Sequence, residues 1–192
     1  MSAPSVPTYQ HISSPSLTIS SLSWSKFLPN LIVYTSSGGT TSIVDLSSKA
    51  STVSRCECMR RCSSVEFSPV NENVLLVACD DAFESSSLME FDLRKMEEPL
   101  MKFCEHSEGV IAMSWSRWND LVVTTNNHKV IVWDMYERLV ISEKNSQSRL
   151  FDVQWNKTSE DTFFSEGTSA RSFVAASDGQ LHLYEVDFPL IT

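Results

Sequence analysis

The stretch Gly109–Asp134, GVIAMSWSRWNDLVVTTNNHKVIVWD, reads as strand, turn, strand, turn, strand, and closes on the pair Trp133-Asp134. VIAMSW is apolar but for Ser114, and LVVTT and KVIVW are rich in β-branched residues. That combination suits a pleated, half-buried surface, and the Asn and Asp residues between the runs are turn formers. The same layout recurs three more times, at Ile19–Leu46, Cys62–Arg94 and Ser148–Val186. In each copy the first strand ends in an aromatic: Trp24, Phe67, Trp115 and Trp155. Phe67 lies 43 residues after Trp24, Trp115 lies 48 after Phe67, and Trp155 lies 40 after Trp115. A Val/Leu-rich strand follows each aromatic. A third strand then closes on an apolar-acidic pair: Val44-Asp45, Phe91-Asp92, Trp133-Asp134 and Tyr184-Glu185.

Three strands and a variable fourth, repeating about every 40–45 residues, are the blade of a WD-repeat β-propeller. The expected fold is all-β, a partial or open propeller of about four blades spanning 18–187. Residues 1–17 are rich in Ser and Pro and read as an N-terminal tail or linker. The one helix-like window, DLRKMEEPLMKF, contains Pro99 and reads as a blade connection. The strand-end aromatics are expected in the core, and the closing acids are expected to satisfy donors at turns. His106 stands nine residues before Trp115, where a WD repeat has its structural histidine. The matching positions hold Pro15, Cys58 and Ser146, and a turn aspartate is clear only at Asp178. These blades should therefore be more loosely pinned than a regular set.

With 192 residues, 42% of them hydrophobic, the chain can bury a sizeable core. A net charge of −9 argues against nucleic acid and against anionic lipid, both of which call for clustered Lys and Arg. No segment has the length and apolarity of a spanning helix, and the first residues lack the blocks of a signal peptide. Five cysteines form no regular framework. Cys56, Cys58 and Cys62 cluster in CECMRRC but lack the paired spacing of structural zinc, and read as ordinary reduced thiols beside a strand. Asn156 opens an NKT triplet, a glycosylation acceptor by spelling only. SSGGT at Ser36–Thr40 is a turn and not a phosphate loop, and no G-x-S-x-G elbow occurs. His11, His106, His128 and His182 show no ligand spacing. No catalytic, cofactor-binding or metal-binding residue is expected, and the chain is not expected to be an enzyme.

Several features together narrow the choice of family. Asp80-Asp81, Asp92-Leu93-Arg94, Pro99-Leu100, His106, the strand Gly109–Trp115 and the strand Phe151–Trp155 follow one another in a fixed order. In that order they resemble the larger outer-coat subunit of the COPII vesicle coat, over about Ile19 to Val186. The resemblance implies a non-enzymatic scaffold in transport from the endoplasmic reticulum to the Golgi. It implies protein partners, among them the smaller WD-repeat subunit of the same coat. It places the chain in the cytoplasm, peripherally on exit-site membranes and coated vesicles, without membrane insertion. Family members carry a seven-bladed propeller followed by a donated blade, a helical solenoid and Pro-rich tails. This sequence matches the second half of the propeller, so cage assembly and GTPase activation do not carry over to it. The alternative reading is a generic WD-repeat adaptor, such as a ubiquitin-ligase substrate receptor or an import receptor. Four blades leave open sheet edges, and self-association through them is expected. The insertion Thr158–Ala170 and the acidic loop Asp80–Ser87 are the candidate contact loops, although both read first as solvated loops.

Overall fold

A computed structural model describes residues 18–47, 51–57, 60–81, 87–104, 108–125, 128–156, 162–164 and 168–189. Among them every helix-or-strand element is a strand, and the strands form four antiparallel sheets. Blade 1 holds β1 (Ile19–Trp24), β2 (Leu31–Ser36), β3 (Thr40–Asp45) and β4 (Ser51–Glu57) in sequence order. Blade 2 holds β5 (Cys62–Phe67), β6 (Val74–Cys79), β7 (Leu88–Asp92) and β8 (Met101–Phe103). Blade 3 holds β9 (Val110–Trp115), β10 (Asp120–Thr125), β11 (Lys129–Asp134) and β12 (Leu139–Asn145). Blade 4 is built differently. β15 (Thr168–Ser177) is flanked on one side by β13 (Leu150–Trp155) and β14 (Thr162–Phe164), and on the other by β16 (Gln180–Pro189).

The first strands of successive blades pack together, β1 on β5, β5 on β9 and β9 on β13, which makes them the inner strands of a propeller. A sheet covered on both faces needs apolar residues on both, and β6 (VLLVAC) is accordingly a continuous apolar run, almost wholly buried. Three cores lie between the blades. Val33 and Ile43 of blade 1 meet Val65, Phe67, Leu75 and Phe91 of blade 2. Leu76, Leu88 and Phe103 of blade 2 meet Trp115, Leu121 and Trp133 of blade 3. Val130 and Val132 of blade 3 meet Trp155 and Phe173 of blade 4. The described residues thus form a partial or open propeller of four blades. Gly39 has φ +81°, and a Cβ there would meet the Arg60 carbonyl oxygen at 2.5 Å, so glycine lets the blade 2 entry pass close to the β2–β3 turn.

The blades are joined by a hydrogen-bond device absent from the WD signature. In an antiparallel pair, alternate residues turn their N–H away from the neighbouring strand. Ser68 N–H bonds to Val74 O at 2.9 Å, so one step earlier the N–H of Phe67 points outward from β6. It donates to Ser23 Oγ at 3.2 Å. Likewise Trp115 N–H donates to Glu66 Oε2 at 2.7 Å, and Trp155 N–H to Ser114 Oγ at 3.1 Å. Ser23, Glu66 and Ser114 each sit immediately before the aromatic of their own blade, so one register position latches every blade to the next. Ser114→Ala leaves the buried Trp155 amide without that acceptor. The expected cost is about 1–3 kcal/mol, read as a lower urea midpoint at unchanged slope.

The strand-end aromatics Phe67, Trp115 and Trp155 are buried as expected, whereas Trp24 is exposed. Blade 1 has no described blade on the side that Trp24 faces, so the repeat position is the same and the burial is not. The insertion Thr158–Ala170 also departs from a solvated loop. Thr162, Phe163 and Phe164 pair with Ala170, Ser169 and Thr168, extending the blade 4 sheet by a hairpin. Residues 157–161 and 165–167 lie outside the described residues.

Candidate interaction surface

Three of the four closing acids cap turns, whereas Glu185 lies inside β16, which runs on past it to Pro189. Asp45 Oδ1 accepts from Ser47 N–H at 2.8 Å, Asp92 Oδ1 from Arg94 N–H at 2.9 Å, and Asp134 Oδ1 from Tyr136 N–H at 2.8 Å. The Arg94 side chain also grips Asp92, at 2.6 Å from Nη2 to Oδ2. These bonds, the side-chain pair first, hold the Asp92 carboxyl down at about 2. In the fourth copy Asp178-Gly179 makes the turn, with Gly179 at φ +67°, and Ser177 Oγ and His182 Nε2 hydrogen-bond across it at 2.9 Å. Asp45, Asp92 and Asp134 are thereby committed to structure.

Of the acidic loop, Asp80 pairs with Arg61 at 2.9 Å and Asp81 with Arg60 at 2.6 Å, while residues 82–86 lie outside the described residues. Cys62 is buried in β5 and Cys56 belongs to β4; Cys58, His11 and His106 are outside the described residues. No three His, Cys, Asp or Glu among the described residues are grouped to hold a metal ion. No described helix is long and apolar enough to cross a membrane.

Two buried carboxylates tie neighbouring blades, and no motif marks either of them. Glu90 of β7 pairs with Arg138, which lies between β11 and β12, at 3.1 Å. Asp120, at the start of β10, pairs with Arg171 of β15 and accepts from Ser116 Oγ at 3.1 Å. Burial pushes both carboxyls above the ordinary carboxylate range, and the facing arginines only partly oppose it. Arg171 also lies 4.8 Å from the Trp118 ring centre, and Arg117 lies 4.2 Å from it. Beside this cluster, at one end of the inner strands, is a cleft of ≈ 410 Å³ lined by Trp24, Lys26, Glu66, Pro69, Trp115 and Arg117. Aromatic faces with both signs of charge on a rigid rim suit the gripping of a polypeptide.

No family model matches the chain. The protein transport protein SEC31 homolog B of Arabidopsis thaliana is 30% identical over 131 residues, 67% of this chain and 11% of that protein. The protein transport protein Sec31B of Mus musculus is 27% identical over 177 residues, 90% of this chain and 14% of that protein. The protein transport protein Sec31A of Danio rerio is 23% identical over 177 residues, 90% of this chain and 13% of that protein. The chain therefore spans 11–14% of the length of these relatives.

Proposed function

We propose that this chain, a propeller segment resembling the Sec31 protein transport proteins, is a non-enzymatic scaffold of the COPII outer coat in transport from the endoplasmic reticulum to the Golgi. The observation that carries the reading is the agreement of relatives from a plant, a mammal and a fish, two of them across 90% of the chain. The mechanism is assembly. Residues 18–187 form a rigid propeller platform whose rims and end faces bind other coat proteins, the smaller WD-repeat subunit among them. It works in the cytoplasm, at exit-site membranes and on coated vesicles, without entering the bilayer. The architecture supports this: Asp45, Asp92 and Asp134 cap turns, and Glu90 and Asp120 tie neighbouring blades. The test is the position of the fluorescently tagged chain in cells of its source. Puncta that coincide with an exit-site marker and disperse when coat assembly is blocked are the expected result. A diffuse signal, or puncta on another organelle, overturns the assignment.

A further inference from the structure

Cys62 opens β5 and Cys79 closes β6, and the antiparallel register of blade 2 sets the two residues directly opposite each other. The backbone bonds show which kind of pair this is. Cys79 N–H donates to Ser87 O at 2.8 Å, so it points to the β7 side and away from β5. Just beyond the strand ends, Asp80 N–H donates to Arg61 O at 3.0 Å, which is a hydrogen-bonded position of the same ladder. Cys62 and Cys79 therefore face each other at a non-hydrogen-bonded position, where Cα atoms come within about 4.5 Å and side chains stand closest.

A bulge turns both side chains to one face. The ladder shifts between Cys62 and Ser64, and the extra residue, Ser63, bonds instead to blade 3, its hydroxyl donating to Val110 O at 2.7 Å. With that residue set aside, Cys62 shares a face with Val65 and Phe67, and Cys79 with Leu75 and Val77, all in the core between blades 1 and 2. Cys62 is 3% and Cys79 0% exposed. A disulfide spans Cα atoms roughly 4.4–6.8 Å apart and Cβ atoms roughly 3.5–4.5 Å apart. The facing position meets the first span and reaches the edge of the second, so closure asks only a small adjustment at two strand ends. Both residues are thiols in this structure, and Cys62 Sγ donates to Arg60 O at 3.6 Å.

We propose that Cys62 and Cys79 are a redox pair, closed to a cross-strand disulfide by hydrogen peroxide and reopened by a small thiol. Cys62 reacts first, because it begins its strand beside the bulge and is uncovered when that strand end opens. Its thiolate attacks one peroxide oxygen, the O–O bond breaks, and a sulfenic acid and one water result. The Cys79 thiolate then attacks the sulfenic sulfur, the S–O bond breaks, and a second water leaves. In sum the two thiols give up two electrons and two protons, and one peroxide becomes two waters. The bond staples blade 2 where the bulge interrupts its ladder, close to the amides of Val65 and Phe67 that donate to blade 1. The sequence groups Cys62 with Cys56 and Cys58, whereas the fold sets it against Cys79. The inference rests on the register inside blade 2, so it is independent of the coat assignment and of whatever flanks the four blades.

The test is disulfide mapping on the purified chain, with its folded state verified by circular dichroism. The protein is exposed to hydrogen peroxide, its remaining thiols are blocked with N-ethylmaleimide, and its peptides are identified without reduction by mass spectrometry. The expected product joins the Cys62 peptide to the Cys79 peptide, is lighter by two hydrogens than their sum, and disappears on treatment with dithiothreitol. The thermal midpoint of the oxidised chain is expected to rise by several degrees and to return on reduction, because the bond restricts the unfolded chain. A variant carrying Cys56→Ser, Cys58→Ser and Cys104→Ser keeps only this pair and is expected to give the same product. Cys62 recovered in a bond to Cys56 or Cys58 overturns the proposal, as does recovery of both blocked thiols at peroxide levels that oxidise the exposed Cys104. A bond between Cys62 and Cys79 that forms only in urea, or that lowers the midpoint, also overturns it, since the folded register then does not favour closure.

Discussion

Arg171→Met is expected to destabilise the fold by about 3–5 kcal/mol at neutral pH, because it strands the buried Asp120 carboxylate without its partner. The cost should depend on pH in a definite direction. Burial already holds the Asp120 carboxyl above its ordinary value of 3.8, and Arg171 is the main influence pulling it down. Without Arg171 it rises further in the folded state, while the unfolded chain keeps the ordinary value. A carboxyl whose folded pKa is raised destabilises the fold at pH above that pKa, and the penalty is lost as pH falls through it. The gap in melting temperature between variant and wild type should therefore narrow as pH falls from neutral toward the ordinary carboxylate range. Asp120→Asn combined with Arg171→Met should recover most of the loss, since no charge is then left buried. A gap that is constant with pH, or a double variant as unstable as the single, would contradict this account of the junction between blades 3 and 4.

Trp133→Ala is expected to cost about 3–5 kcal/mol, a large part of the roughly 5–15 kcal/mol available to a domain. Trp133 closes the third blade, is buried, and meets Phe103 of blade 2 edge to face with ring centres 5.1 Å apart. Its removal opens a cavity in the core that joins two blades, so both should loosen together. Thermal unfolding should shift down by roughly 6–20 °C for a chain of this size. Tyr136→Ala, two residues beyond the strand end on an exposed side chain, should stay within about 0.5 kcal/mol of wild type. Equal effects from the two substitutions would place Trp133 outside the core.

The blade repeat was legible because the middle strands of a blade are covered on both faces, which forces β-branched and aromatic residues into runs such as VLLVAC and KVIVW. Outer strands impose no such pattern. β12 (LVISEKN) is mostly exposed, so its polar half carries no alternation to read. The hairpin of β14 was hidden for a related reason: a strand that adds to the rim of a sheet is held by backbone bonds, which any polar sequence can make. The latch between blades leaves no motif because it asks only for an acceptor. Ser23, Glu66 and Ser114 meet that need with different side chains, and no motif results. The same holds for Asp120 and Arg171, which lie 51 positions apart in the chain and meet only when blades 3 and 4 stack. Trp24 shows the converse limit. The repeat identifies its register position correctly, but burial depends on the neighbouring blade and not on the repeat.

The central claim is that this propeller segment works by binding the proteins of a vesicle coat, and affinity capture tests it most directly. The tagged chain would be recovered from lysate of its own source and the proteins held with it identified by mass spectrometry. The account predicts coat components, the smaller WD-repeat subunit or the larger outer-coat subunit itself, recovered in proportion to the chain. Recovery of ubiquitin-ligase or import machinery in their place, with no coat protein above background, would contradict it and leave the propeller as an adaptor of another kind.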